Sequence, residues 1–144
     1  MQLLLVRHAL PLRSEPGQGS DPRLSAEGIE QAARLPDALR RFPIRRLVSS
    51  PQIRAVQTAA PVADALGVPV EVDQRLAEYD RDLPHYTPIE QIAADNPAEL
   101  QRLMNGQLPS GVDEAEFLGR VRASVDDLVA GADHDDTVAV FSHG

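Results

Sequence analysis

Short apolar runs alternate with longer stretches in which hydrophobic residues recur every three or four positions, a pattern that predicts strands and helices in turn. Residues 3–6 (LLLV) read as a first strand, and 46–48 as a second that runs out on Ser49 and Ser50. Residues 68–72 form a third, and 137–141 (TVAVF) a last one that leads into Ser142, His143 and Gly144. Between the first two, Ser25 reads as an N-cap with Glu27 in the first turn of a helix extending toward Arg41, and Pro36 predicts a kink or break within it. Ser50-Pro51 reads as an N-cap followed by proline at the first helical position. It opens a helix to about Leu66 that has Pro61 inside its pattern and that Gly67 ends. Residues 88–105 read as a helix broken at Pro97, and 106–111 as a turn-rich connection. Asp113 with Glu116 resembles a capping box, after which Phe117, Leu118, Val121, Val125, Leu128 and Val129 share one helical face. Residues 74–86 have no period and read as a long loop, a natural place for a functional carboxylate.

Strands separated by helices predict an α/β fold on a mostly parallel sheet. In such a sheet the carboxyl ends of the strands share one edge, and ligands bind just outside it. The strands ending at Val6, Val48 and Phe141 are each followed at once by polar residues. Arg7-His8, Ser49-Ser50 and Ser142-His143 are therefore expected to converge.

Composition narrows what could bind there. A chain of 144 residues fits one domain. Cysteine is absent, which excludes disulfides, thiol catalysis and thiolate metal sites. A formal charge of -8 argues against nucleic acid or an anionic membrane face as partner. No apolar stretch is long enough to cross a bilayer, and residues 3–6 are too short for a signal-peptide core, so a cytoplasmic setting is expected. The fourteen basic residues are all arginine, so any anion site is a guanidinium site, suited to bidentate contact with phosphate or carboxylate. Arg40, Arg41, Arg45 and Arg46 read as a solvated helix end, and His85 and His134 as solvated side chains. No histidines or carboxylates fall at helical ligand spacing with a third, so no metal is expected.

If the strand ends meet, Arg7, His8, Arg54, His143 and the N-terminus of the helix after Ser50 enclose a pocket for a tetrahedral dianion, of which phosphate is the natural example. With no cysteine and no G-x-x-x-x-G-K-[ST] loop, histidine is the candidate nucleophile. A neutral imidazole can attack phosphorus to give a phosphohistidine while arginines and a second imidazole stabilise the equatorial oxygens. The departing alcohol needs a proton and the later water needs activation, and one carboxyl group can do both. Glu78 in RLAEYDRD is the best-placed candidate, with Asp80 and Asp82 behind it.

The segments LLLVRHA, SSPQIRAVQTA, RLAEYD and VAVFSHG, in this order and spacing, resemble the phosphoglycerate mutase-like branch of the histidine phosphatase superfamily. DPRLSAEGIEQA and PSGVDEAEF resemble the segments that open its first helix and precede its later long one, so the likeness spans essentially the whole chain. The resemblance implies a three-layer α/β/α sandwich with a mostly parallel central sheet. It implies His8 as the phosphorylated nucleophile, Arg7, Arg54 and His143 as phosphoryl ligands, and Glu78 as the proton donor. Ala9 stands where glycine is usual, Leu10, Pro11 and Leu12 replace polar residues, and Ser14 occupies the place of a phosphate-contacting asparagine. The less polar side points away from the glycolytic mutase and toward a phosphatase or an uncharacterised specificity. The family pattern continues past the second histidine, so residues 1–144 are expected to form one such domain, truncated at its C-terminus. The expected activity is hydrolysis of a phosphomonoester, on a small molecule or a phosphoprotein, through phosphohistidine and without a cofactor. A phosphomutase and a phosphate-binding regulatory domain are the alternatives. Neither the substrate nor the oligomeric state is written in this pattern.

Overall fold

The computed structural model describes residues 1–13, 21–82, 87 and 89–144. Four strands, β1 (Gln2–Arg7), β2 (Ile44–Ser49), β3 (Val70–Val72) and β4 (Thr137–Ser142), form one sheet in the order β1-β4-β2-β3 with every pairing parallel. Helices α1 (Ala26–Ala33), α2 (Leu35–Leu39), α3 (Ile53–Leu66), α4 (Ile89–Asp95), α5 (Pro97–Met104) and α6 (Glu114–Ala130) make the connections. The fold is the expected α/β type. β4 lies between two neighbours, and its near-continuous apolar sequence follows from burial on both faces. Ala139 and Phe141 pack with Ile44, Leu47, Ala59 and Val62 on the side of α2 and α3, whereas Val138 and Val140 pack with Val48, Leu76 and Leu128 on the side of α6. The two-residue period of the strand thus divides the core into two halves. Among the described residues no helix is long and apolar enough to cross a membrane.

Local chemistry explains most boundaries. Ser25 caps α1 by accepting from the Gly28 N–H at 3.0 Å, and Asp113 caps α6 by accepting from Glu116 N–H at 3.0 Å. The predicted break near Pro36 falls at Arg34, so that the proline lies in the first turn of α2, where a missing N–H costs little. α3 passes through Pro61 and stops at Gly67, whose φ of +66° is the left-handed cap that glycine adopts without strain.

Four expectations need correction. The helix expected from Pro51 begins at Ile53, because Gln52 is its N-cap residue and the carboxylate of Asp21 accepts the Ile53 N–H at 2.9 and 3.0 Å. That N–H is therefore not free for an anion. Leu118 and Val129 are 53% and 52% exposed, since the buried face of α6 runs through Ser124 and Leu128. The expected loop contains two 3₁₀ turns, Gln74–Leu76 and Tyr79–Asp82. In the basic cluster, Arg46, a strand residue as expected, pairs with Glu71 at 2.8 Å across β2 and β3, so it is ion-paired rather than simply solvated. His134 is solvated as expected, and His85 lies outside the described residues.

One glycine ties the fold to the site. A Cβ on Gly28 would lie 2.0 Å from the Leu10 carbonyl oxygen, so only glycine lets the chain after β1 rest on α1. That chain is pinned further by the Leu10 N–H donating to Gln31 Oε1 at 3.0 Å and the Leu12 N–H donating to the Arg23 carbonyl at 2.7 Å.

Candidate active site

Strand register sets the geometry. Arg7 pairs with Ser142, and one residue further the His8 N–H donates to the Ser142 carbonyl at 2.9 Å. On the other side Ser49 pairs with Phe141, and the Ser50 N–H donates to the Phe141 carbonyl at 2.9 Å. The two ladders carry His8 and Ser50 to the same sheet edge, with His143 leaving β4 between them. The His8 and His143 rings are 5.2 Å apart at 61°, and His143 Nε2 lies 2.8 Å from Ser50 Oγ.

His8 Nδ1 lies 2.8 Å from the Ala9 carbonyl. A carbonyl only accepts, so in the neutral ring Nδ1 carries the proton and Nε2 keeps its lone pair. The Ala9 N–H in turn donates to Thr58 Oγ1 at 2.9 Å, and the Thr58 hydroxyl donates to the Arg54 carbonyl at 2.7 Å. Helix α3 thereby holds the turn that follows His8.

Arg54 is fully buried. Its Nη2 donates to both Asp80 oxygens at 3.2 and 3.1 Å, and its Nη1 lies 3.5 Å from Asp21. Glu78 sits beside this group, with Oε2 4.0 Å from His143 Nδ1. That imidazole nitrogen is buried and has no hydrogen-bond partner among the described residues. Arg7 is exposed at the end of β1, next to Gly144. Ser14 lies outside the described residues. The structure thus gathers His8, Arg54, Glu78 and His143 directly and brings Arg7 to the same edge. Among the described residues, no three histidine, aspartate or glutamate side chains could together hold a metal ion.

Burial and the cations tune the ionisable groups together. Desolvation lowers the His8 pKa, with Arg54 and Arg7 adding to the effect against the Ala9 hydrogen bond. Burial, then the charges of Arg54, His8, Arg7 and Arg120, push His143 down to about 2. Burial raises Glu78, and the nearby Asp80 carboxylate adds to the rise. The site therefore favours neutral imidazoles beside a carboxyl group that holds its proton more tightly than an exposed glutamate.

The His143 shift has a consequence for stability. An unfolded histidine binds a proton near pH 6.5 while native His143 does so only near 2, so between those values the unfolded chain binds more protons and stability rises with pH. The contribution is complete above 6.5 and fades as pH falls toward 2. His8 acts in the same direction. Asp73, held at about 2 chiefly by its hydrogen bond from Arg75, adds acid sensitivity only below its ordinary 3.8, and Glu78, being raised, acts with the opposite sign above 4.5. Urea midpoints measured from pH 7 to 4 are expected to fall with acid, and less steeply in His143→Asn. Equal slopes for the two proteins would refute the assignment.

Several participants are not evident from the sequence. Thr58 stands four residues after Arg54, and that helical spacing was the available signal. Ser50 reads as a cap but bonds His143. Asp21, Gln52 and Arg120 act on partners distant in the chain, and no local pattern marks them.

The family model of the histidine phosphatase superfamily (branch 1) matches residues 3–144. The chain belongs to this superfamily. A probable phosphoglycerate mutase GpmB of Yersinia enterocolitica is 32% identical over 134 residues, covering 88% of this chain and 62% of the relative. The chain thus spans under two thirds of that relative's length. Its counterpart from Erwinia tasmaniensis is 29% identical, covering 100% of this chain and 70% of the relative. Among solved structures, a mycobacterial glucosyl-3-phosphoglycerate phosphatase superposes with a TM-score of 0.76 at 30% identity, over 99% of this chain and 73% of that one. The alpha-ribazole phosphatase of Shigella flexneri shares the fold, with a TM-score of 0.70 at 23% identity over 99% of this chain and 74% of that one. Superfamily membership agrees with the resemblance read from the four sequence segments.

Proposed function

We propose that the chain carries a phosphatase site that hydrolyses a small phosphomonoester through a phosphohistidine on His8. The observation that supports this best is the pairing of His8, its Nδ1 proton tied to the Ala9 carbonyl, with a buried neutral His143 and the raised carboxyl group of Glu78. In the first step the His8 Nε2 lone pair attacks phosphorus, the bond from phosphorus to the ester oxygen breaks, and the leaving alkoxide takes the Glu78 proton. In the second step the Glu78 carboxylate takes a proton from water, the water oxygen attacks phosphorus, and the N–P bond breaks to release phosphate. Arg7, Arg54 and His143 bind the phosphoryl oxygens as charge accumulates on them, and Ser14 is assigned to the same group. A cytoplasmic setting suits such substrates.

A neighbour named for glucosyl-3-phosphoglycerate hydrolysis supports a small substrate, while relatives named as phosphoglycerate mutases favour transfer as the second reading. Phosphorus NMR of the products from 3-phosphoglycerate and a panel of phosphomonoesters separates them. Inorganic phosphate is the expected product. An isomeric phosphoester in its place establishes a mutase, and phosphate binding with no product from any substrate establishes a regulatory domain.

A further inference from the structure

We propose that Gln52 is a positioning residue that holds the Glu78 proton donor in place, an inference that rests on the reading above. Gln52 occupies the N-cap of α3, where a serine, threonine or aspartate would bond its own helix. Its side chain makes no such bond, and Asp21 meets that need instead. The longer amide is thereby released to reach the Glu78 turn. Gln52 is 5% exposed. Its Oε1 accepts the Glu78 N–H at 2.7 Å and the Ser50 hydroxyl at 3.4 Å, while its Nε2 donates to Asp80 Oδ1 at 2.7 Å. The amide orientation follows from its partners, since an N–H requires an acceptor and a carboxylate requires a donor.

From the opposite side Arg120 donates to the carbonyls of Arg75 at 2.8 Å, of Ala77, and of Glu78 at 3.3 Å. The two polar groups of the Glu78 backbone are thus held by side chains from two different helices. Gln52 also joins the groups that flank the donor, because Ser50 bonds His143 and Asp80 bonds Arg54. A shift of the Glu78 turn would break this set at several points. Proton donation depends steeply on placement, and a displacement of about 1 Å can cost ~10²-fold in rate.

Leaving-group dependence tests the proposal, because a dinitrophenolate departs without a proton and an alkoxide does not. For Gln52→Leu we expect kcat/KM on glycerol 2-phosphate to fall ~10²-fold while that on 2,4-dinitrophenyl phosphate changes by less than about threefold. Gln52→Glu keeps an acceptor for the Glu78 N–H and should recover part of the alkyl rate. A Glu78→Gln control should show the same selectivity more strongly. If the control loses no alkyl turnover, the assignment of Glu78 as donor fails. If the control behaves as expected but Gln52→Leu slows both substrates equally, or neither, the positioning role fails while the assignment of Glu78 stands. Should the leucine variant not fold, Gln52→Asn carries the test, since it keeps both hydrogen-bonding groups but withdraws them by one methylene.

Discussion

Replacing His8 with alanine should lower phosphomonoester turnover by a factor on the order of 10⁴ or more, the scale seen when an enzyme loses its nucleophile. The fold should survive. The bond that fixes residue 8 in the sheet is the backbone N–H to the Ser142 carbonyl, and alanine retains it. Among the described residues the imidazole donates to the adjacent Ala9 carbonyl alone, which can turn to water once the ring is gone. Phosphate affinity should change far less than turnover, because the proposed phosphate ligands Arg7, Arg54 and His143 remain. Steady-state rates with circular dichroism, and calorimetric titration with inorganic phosphate, separate these effects. A folded His8→Ala protein retaining more than a tenth of the turnover would contradict the proposed nucleophile.

Arg54→Ala should damage both function and stability, and the two losses can be separated. The guanidinium is fully buried and bonded to both oxygens of Asp80, itself 5% exposed. Removing one member of a buried ion pair leaves a charge without compensation and typically costs about 3–5 kcal/mol. Against a total stability of about 5–15 kcal/mol, that loss could unfold a large fraction of the chain. Removing both charges is a milder change, because apolar replacements of similar volume are often neutral or stabilising. We therefore expect Arg54→Met combined with Asp80→Leu to regain most of the urea midpoint lost by Arg54→Ala. The same double variant should remain at least ~10²-fold below wild type in kcat/KM, because the guanidinium proposed to stabilise the phosphoryl oxygens is gone. Recovery of activity along with stability would show that Arg54 is structural only.

The parts of this molecule that were legible in advance depend on near neighbours in the chain. Ser25 and Asp113 cap helices three residues away, Gly67 closes the helix it follows, and the apolar run of β4 is buried along its own length while that of β1 is partly buried, with Leu5 exposed. The convergence of His8 and His143 was legible because parallel strands share an edge and each histidine follows its strand directly. The start of α3 was misread because its acceptor, Asp21, lies 32 residues upstream. The exposure of Leu118 and Val129 shows the same limit, since helical period marks a face without saying how much of it a neighbour covers. Gln52 and Arg120 bond the backbone of Glu78, which any residue could present, so no residue type in the sequence identified that contact. The ion pair of Arg54 with Asp80 likewise arises only when the turn after β3 folds over the start of α3.

The central claim is that His8 carries the phosphoryl group during turnover, and it can be read directly. The protein should be mixed with a rapidly reacting aryl phosphate, quenched in alkali within milliseconds, digested, and examined by mass spectrometry with fragmentation gentle enough to retain a phosphoramidate. The account predicts an acid-labile, alkali-stable phosphoryl group on the peptide containing Arg7 and His8, located at His8, formed and lost at rates consistent with turnover. Turnover proceeding with no phosphoryl group on His8, or with the group on another residue, would contradict it.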